Sequence, residues 1–258
     1  MITGTLRAWF VAIGFIALAG CASQPGEGGS AASGSDLAQA LASTTRPQAD
    51  RDRDADRKPV ELMTFLGVKP GMTALDVIAA GGYMTEVLAT AVGPKGKVYS
   101  QNPPMIYQAM DGRYRPQVEA RHANGRLPNT VRVDANLPAA PAVPPGSVDV
   151  AVTALNFHDV YNMDPKLAQP FMKGVYSTLK PGGVFGVIDH IGVEGADNVK
   201  LHRVPKQIAM DAAKAAGFVV EAESNILAHP QDDHTKGVFD PGLRGKTDQF
   251  VLKLRKPK

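Results

Sequence analysis

From residue 59 onward, two patterns of apolar residues alternate along the chain. Short, nearly continuous apolar runs predict strands of the kind that are buried on both faces of a sheet. Stretches with apolar residues three and four positions apart predict helices. The predicted strands are 73–78, 96–101, 129–135, 148–157, 184–190, 218–224 and 247–255. The predicted helices are 60–66, 83–92, 104–124, 165–180 and 204–216.

The order of these elements predicts the fold class. Strands that alternate with helices indicate a parallel sheet with helices on both faces. No helical pattern separates the last two predicted strands, so they are expected to form an antiparallel closing pair. The sequence therefore predicts an α/β, Rossmann-like, doubly wound fold with a mostly parallel seven-stranded sheet and an antiparallel last strand.

A run of small residues, 79–82, separates the first predicted strand from its helix. Such a turn exposes backbone N–H groups at the positive end of the following helix. Gly81 and Gly82 can adopt positive φ and let a ligand approach the backbone. In a doubly wound sheet, ligands bind at the carboxyl ends of the strands. The turn is therefore a candidate ligand site, although glycine pairs at this position also occur in turns that bind nothing.

The N-terminus predicts export. Arg7 precedes an apolar run from about residue 8 to 18, which is too short to span a bilayer and is typical of a secretory signal. We interpret residues 1–20 as a signal peptide and residues 21–48, rich in Gly, Ala and Ser at their start, as a flexible tether. The folded domain is then expected to cover residues 49–258.

The sequence around Cys21, Leu-Ala-Gly-Cys, resembles the processing box of bacterial lipoproteins. The resemblance implies cleavage before Cys21, lipidation of that cysteine and membrane attachment facing the periplasm. Ala22 after the cysteine favours the outer membrane. The alternatives are an ordinary signal peptide and a short anchor helix.

Composition excludes several kinds of site. Cys21 is the one cysteine of the chain, so the rest holds no disulfide, zinc–thiolate site or cysteine nucleophile. The formal net charge is +3, and the basic residues are scattered. Because a nucleic-acid-binding surface needs a basic stripe, no nucleic-acid partner is predicted.

Over its folded part, the chain resembles class I S-adenosylmethionine-dependent methyltransferases. Three stretches carry the resemblance: the turn after Asp76, "LKPGGVFGVIDH" at 179–190 and "GFVVEAES" at 217–224. Residues 229–257 further resemble a group of exported bacterial proteins assigned to methyltransferases from their sequences. The resemblance implies S-adenosyl-L-methionine as cofactor and displacement at its methyl group.

The resemblance also assigns residues to the cofactor. These are Asp76, Ala79, Ala80, Gly81, Gly82, Tyr83, Gln101, Asn102, Asp134 and Asn156. Two positions depart from the family pattern. Ala79 replaces the first glycine, and the second strand ends in Gln101 and Asn102 where the family has an acidic residue for the ribose. A neutral amide accepts hydrogen bonds more weakly than a carboxylate.

Candidate catalytic residues follow the fourth and fifth predicted strands. The resemblance places His158 and Asp159, after the fourth strand, near the methyl group. His158 is a candidate general base because the unperturbed pKa of histidine lies near neutrality, and Asp159 would orient it. His190 ends the fifth strand and would face the same crevice. Each of these residues could instead be a polar cap. A metal site is also compatible with them, but no closely spaced ligand motif supports it, so no metal is predicted.

Two functions remain open from the sequence. The first is a methyltransferase with a small-molecule acceptor. The second is a lipid-anchored periplasmic binding protein that keeps the fold without methyl transfer, since fold does not dictate function. Export away from the cytoplasm favours the second, and the His and Asp residues at the strand ends favour the first.

Overall fold

A computed structural model describes residues 34–137 and 143–258, together with Met1, Ile2 and Gly4. The chain divides into two units, Met1–Ser30 and Ala31–Lys258, and the second contains the sheet. Apart from Met1, Ile2 and Gly4, the predicted signal peptide (1–20) lies outside the described residues, as do Cys21 and residues 22–33 of the predicted tether. Within the described ranges, every helix is too short or too polar to cross a membrane.

Each predicted strand and helix has a counterpart among the described residues, whereas five short helices were not predicted. The strands are β1 (Thr73–Val77), β2 (Lys97–Asn102), β3 (Thr130–Asp134), β4 (Val148–Ala154), β5 (Leu179–His190), β6 (Val219–Ser224) and β7 (Gln249–Arg255). The helices are α1 (Gly34–Leu41), α2 (Gln48–Arg51), α3 (Asp54–Arg57), α4 (Pro59–Leu66), α5 (Tyr83–Val92), α6 (Tyr114–His122), α7 (Phe157–Met163), α8 (Ala168–Thr178), α9 (Asn198–Leu201) and α10 (Lys206–Ala216). Short 3₁₀ turns occupy Pro104–Tyr107, Ala109–Gly112, Ala123–Gly125 and Pro165–Leu167.

The seven strands form one sheet in the order β3-β2-β1-β4-β5-β7-β6. The first five strands are parallel, and β7 pairs antiparallel with both β5 and β6. The predicted fold class and the antiparallel closing pair are therefore confirmed. The strand order reverses direction between β1 and β4, which places the switch point beside the small-residue turn after β1.

Successive residues of the central strands enter two different hydrophobic cores, as the period of two along a strand requires. Phe185 and Val187 of β5 pack into one core with α8 and α10, while Val184 and Ile188 pack into the other with α4 and α5. Both faces of the sheet are therefore covered. This explains why these strands appear in the sequence as continuous apolar runs.

The folded part begins earlier than expected. Residues 34–48 were assigned to the tether, but α1 lies within them, and Leu41 is buried in the core formed with α4 and α5. Arg46 and Asp50 are also buried. The alternating charges of residues 46–57 form ion pairs with one another and with the sheet domain.

Two predicted elements differ from the structure. The fourth strand ends at Ala154 instead of Phe157, and Leu155 turns the chain with a φ of 62°. His158 and Asp159 consequently lie in the first turn of α7 and not at a strand end. The predicted helix 104–124 consists of 3₁₀ turns followed by α6, in which Pro116 occupies the first turn, where its missing N–H is tolerated.

Candidate active site

The turn between β1 and α5 holds a strained backbone. Ile78 and Ala80 have φ values of 57° and 50°, and Gly82 has a φ of 83°. Positive φ is rare for residues other than glycine and is a clear outlier for a β-branched residue such as Ile78. Strain of this kind clusters at functional sites, where the surrounding structure holds it in place. It marks the β1–α5 turn as a candidate site.

Asp76 lies beneath this turn, buried in β1. Thr85 donates its hydroxyl proton to the Asp76 carboxylate at 2.6 Å, and the Thr85 and Ser100 hydroxyls lie 2.9 Å apart. Burial raises the pKa of Asp76 to about 7, against the smaller opposing effect of the Thr85 hydrogen bonds. Asp76 therefore links β1 to the first turn of α5.

Gln101 and Asn102, at the end of β2, bind the turn's own backbone. Gln101 accepts the Ile78 N–H through Oε1 at 3.1 Å and donates Nε2 to the carbonyl of Ala135 at 2.6 Å. Asn102 accepts the Ala80 N–H at 2.8 Å and donates to the Ala80 carbonyl at 3.1 Å. At the position that the resemblance assigned to the ribose, both amides are thus hydrogen-bonded to the chain's own backbone.

Asp134 and Asn156 also have partners within the described chain. Tyr107 donates its hydroxyl proton to Asp134, which in addition pairs with Arg132 at 2.7 Å. Burial by itself would raise the pKa of Asp134, but these two partners lower it. Asn156 donates to the carbonyls of Ile78 at 3.1 Å and Ala154 at 2.8 Å. Asn156 therefore ties the β4 end to the turn.

Side chains of α6 cover the outer face of the turn. A Cβ atom added to Gly81 would lie 1.9 Å from Gln117 Oε1, and one added to Gly82 would lie 2.7 Å from Arg121 Cδ. Arg121 also donates Nε to the Gly81 carbonyl at 2.5 Å. The space in front of both glycines is filled.

The turn in this conformation does not fit an adenosyl group. The Ala79 N–H binds the Gln101 carbonyl at 2.8 Å, and the Gly82 N–H binds the Ala79 carbonyl at 2.8 Å. A cavity lined by Met84, Leu155 and Ile188 holds about 10 Å³, room for roughly one water molecule. The cover over Gly81 is the far end of a flexible side chain, so it can withdraw without moving backbone.

Arg121, the side chain that covers Gly82, is held in place by buried carboxylates. Arg121 pairs with Asp50 of α2 and, at 2.5 Å, with Glu86 of α5, while Arg126 pairs with Glu86 at 2.6 Å. Burial would raise the pKa of Asp50, but Arg121 and Arg53 lower it. The network joins the N-terminal segment, α5 and the end of α6.

Tyr83, the first residue of α5, belongs to the same anchored region. Its hydroxyl donates to Asp54 of α3 at 2.7 Å, and the guanidinium groups of Arg53 and Arg57 lie 4.8 Å from its ring centre. Tyr83, which the resemblance assigned to the cofactor, therefore contacts the N-terminal segment.

His158 is held by a buried carboxylate at the ends of β4 and β5. Asp189 accepts the His158 backbone N–H at 2.7 Å and binds His158 Nδ1 at 2.7 Å through its other oxygen. Burial by itself would lower the pKa of His158, but Asp189 and Asp159 outweigh it and raise the pKa to about 10. A pKa this high favours the protonated ring near neutral pH, whereas a general base needs the neutral ring; the general-base role of His158 stays a prediction.

His190 shares this environment but differs in charge. Its backbone N–H binds Asp189 at 2.8 Å, and its Nδ1 lies 2.7 Å from the Thr247 hydroxyl. Burial lowers the pKa of His190 to about 4, with His158 and Arg203 acting in the same direction. His190 is therefore neutral at physiological pH, and the two histidine rings lie 5.5 Å apart, as the prediction that they share one crevice requires.

The structure adds His202 to this group, a residue that the sequence did not single out as a candidate. His202 Nδ1 lies 3.3 Å from Asp159 Oδ1, and the same oxygen lies 3.2 Å from His158 Nε2. His202 follows α9 with a φ of 54°. Because 43 residues separate it from Asp159, no local spacing signals the contact.

Arg203 and Asp232 are structural. Arg203 is fully buried and pairs with Asp232 at 2.9 Å. Asp232 is buried as well and also accepts the backbone N–H of Asp248 at 2.7 Å. This pair fixes the loop after residue 229 against the end of β5.

Sequence comparison places methyltransferases among the proteins most similar to the chain, whereas no model of a protein family matches it. The chain is 25% identical over 192 residues to the ubiquinone/menaquinone biosynthesis C-methyltransferase UbiE of Escherichia coli, covering 72% of this chain and 71% of UbiE. UbiE of Shewanella sediminis is 25% identical, with 67% and 66% covered. A sterol 24-C-methyltransferase of Debaryomyces hansenii is 32% identical over 102 residues, which is 31% of this chain and 26% of that enzyme. The chain thus spans about a quarter of that enzyme and about two thirds of the Shewanella protein.

Solved structures share the architecture at low sequence identity. A methyltransferase from Aquifex aeolicus, described as dependent on S-adenosylmethionine, superposes with a TM-score of 0.57 at 17% identity, covering 87% of this chain and 98% of that one. The [4+2]-cyclase SpnF superposes with a TM-score of 0.56 at 16% identity, covering 79% and 81%. Proteins with this architecture therefore carry out more than one kind of chemistry.

Proposed function

Because the chain has the class I methyltransferase fold, we propose that it is an S-adenosylmethionine-dependent methyltransferase acting on a small-molecule acceptor. The observation that carries the proposal is the similarity to UbiE, which extends over most of both chains. Fold alone would not carry it, as the cyclase with the same fold shows. The relatives' names denote transfer to carbon, which favours a carbon acceptor here.

The position and backbone strain of the β1–α5 turn support a ligand site there, although side chains of α6 fill the turn in this conformation. The turn lies at the switch point of the sheet, and its backbone is held strained by Gln101, Asn102 and Asn156. The cofactor would supply the methyl group once bound. Since Gln117 covers Gly81, binding requires that its side chain withdraws.

The substitution Gly81→Ala separates ligand binding from folding. Gly81 has no positive φ, and the added methyl group would displace only the end of Gln117. We expect stability to change by less than about 1 kcal/mol. We expect affinity for S-adenosylmethionine, measured by calorimetry on the full chain, to fall by at least about tenfold, since the methyl group would occupy the face that a ligand must approach.

The matched control is Gly237→Ala, where the added methyl group meets its nearest neighbour at 3.9 Å, an ordinary contact. It should leave affinity and stability unchanged. Equal affinity of the Gly81→Ala variant and the wild type would contradict a cofactor site at this turn.

We further propose that the chain is an exported lipoprotein, anchored to a membrane through Cys21 and facing the periplasm, with the outer membrane favoured. The support is the sequence of residues 1–22. Mass spectrometry of the mature N-terminus tests this proposal. A diacylated or triacylated Cys21 at the new N-terminus supports it, and an N-terminus at Met1 contradicts it.

The filled turn favours a second candidate, a lipid-anchored binding protein that keeps the fold without methyl transfer. The amide oxygens of Gln101 and Asn102, which a ribose would need as acceptors, already accept backbone N–H groups of the turn. The Gln101 amide nitrogen is also bonded, to the carbonyl of Ala135. Absence of binding of S-adenosylmethionine and S-adenosylhomocysteine at millimolar concentration would favour this candidate.

A further inference from the structure

Three side chains converge at the exposed end of the His158 site. His158 Nε2 and Asp159 Oδ1 are 3.2 Å apart, and His202 Nδ1 and Asp159 Oδ1 are 3.3 Å apart. One ligand atom from each residue lies within 4.8 Å of the other two. In a tetrahedral zinc site with bonds of about 2.0–2.1 Å, ligand atoms lie roughly 3.3 Å apart. Two of the three separations therefore already match such a site.

Asp189 orients His158 for coordination. Its carboxylate binds Nδ1 of the imidazole at 2.7 Å, which directs Nε2 toward Asp159 and His202. Metal-binding histidines in proteins characteristically donate their other ring N–H to a carboxylate or carbonyl in this way. Asp189 is fully buried and also accepts two backbone N–H groups, so the orientation of the ring is fixed.

The environment of His202 restricts its ring as well. Phe239 contacts the His202 ring edge-on at 4.9 Å, and the His158 ring contacts it at 5.8 Å. The Asp159 side chain is 56% exposed and that of His202 is 42% exposed. Neighbouring side chains thus orient the cluster, and one side of it is open to solvent. An ion can enter from that side and keep coordination positions at which water exchanges.

Charge and ligand type identify the class of ion. Two imidazoles and one carboxylate on one face suit divalent transition metals such as zinc and iron(II), whereas magnesium and calcium prefer oxygen ligands. Asp159 and Asp189 together carry two negative charges, which match the charge of a divalent ion once that ion has displaced the proton from His158 Nε2. Lysine and arginine side chains do not form ion pairs with either carboxylate among the described residues.

We propose that His158, Asp159 and His202 bind a divalent transition-metal ion of the zinc class, with Asp189 as the positioning residue for His158. Water would fill the remaining coordination positions. The site is independent of the β1–α5 turn, so it does not depend on the proposed methyl transfer. Its position after the ends of β4 and β5 would place the ion at the same edge of the sheet as that turn.

Titration of the chelator-treated full chain with Co²⁺ and Zn²⁺ tests the proposal. We expect one equivalent of Co²⁺ to bind with the visible absorption bands of a four- or five-coordinate site, and Zn²⁺ to displace it. His202→Ala and Asp159→Asn should each weaken binding by more than about tenfold, because each removes a ligand. Both residues are partly exposed, so the variants are expected to fold.

The control is His229→Ala, which removes another partly exposed histidine that lies outside the cluster. It should leave the Co²⁺ spectrum and affinity unchanged. Asp189→Asn should lower affinity by about 10–100-fold while one equivalent still binds. The proposal is overturned if the wild type binds no Co²⁺, or if His202→Ala and Asp159→Asn bind it as the wild type does.

Discussion

The substitution Arg121→Met should destabilise the chain by about 3 kcal/mol, because it removes one of the two arginine partners of each of two buried carboxylates. Asp50 and Glu86 are 3% and 2% exposed, and both bind the Arg121 guanidinium. Methionine keeps most of the side-chain volume, so the loss measures charge and hydrogen bonding more than packing. The change in unfolding free energy is measured by urea denaturation of the full chain.

The control is Arg244→Met at an exposed position, which should change the unfolding free energy by no more than about 0.5 kcal/mol. A loss below about 1 kcal/mol in Arg121→Met would contradict the buried network. It would mean that the segment containing α2 separates readily from α5 and α6, and that Asp50 and Glu86 are then hydrated.

The second large effect is expected for Asp76→Asn and depends on pH. Burial raises the pKa of Asp76 from 3.8 to about 7, so between these values the folded state holds a proton that the unfolded state has lost. The contribution of this proton to the free energy of unfolding is complete below pH 4 and is lost as pH rises through 7. A shift of about three units corresponds to roughly 4 kcal/mol at about 1.4 kcal/mol per unit.

Asparagine has nearly the same shape and still accepts the Thr85 hydroxyl proton, but it does not ionise. We expect the variant to equal the wild type near pH 4 and to be more stable by about 2–4 kcal/mol at pH 8. Thermal or urea unfolding between these pH values measures the difference. The exposed control Asp211→Asn should follow the wild type. A variant that is less stable than the wild type at pH 8 would contradict a buried, protonated Asp76.

The strands were predictable because burial on both faces leaves a continuous apolar run. β5 illustrates this, since Phe185 and Ile188 enter different cores and no polar residue lies between them. The same signal failed at the end of β4. Leu155 and Phe157 continue the apolar run, but Leu155 adopts a positive φ and Phe157 begins α7, and neither change has a marker in the sequence.

The N-terminal segment was misjudged for a different reason. Alternating Arg and Asp residues at 46–57 are compatible with a solvated linker and with buried ion pairs. Which of these occurs depends on partners such as Arg121, which lies 71 residues from Asp50. Local pattern carries no information about a pair so distant in sequence.

The candidate site was predicted in part. The position of the β1–α5 turn and the proximity of His158 to His190 follow from the topology of parallel strands, whose carboxyl ends meet at one edge. The role of Gln101 and Asn102 as ligands of the turn's own backbone did not follow from the sequence, because an amide can bind a ribose equally well. His202 was missed because a loop far along the chain brings it to Asp159.

The most direct test of a ligand site beneath α6 is a calorimetric titration of S-adenosylmethionine into the full chain and its Gln117→Ala variant. Removing the Gln117 side chain uncovers Gly81 and raises the fraction of molecules that can bind, so apparent affinity should rise by about threefold or more. Gln207→Ala, an exposed glutamine on α10, should bind as the wild type does. Absence of heat with both the wild type and Gln117→Ala at millimolar ligand would contradict the account.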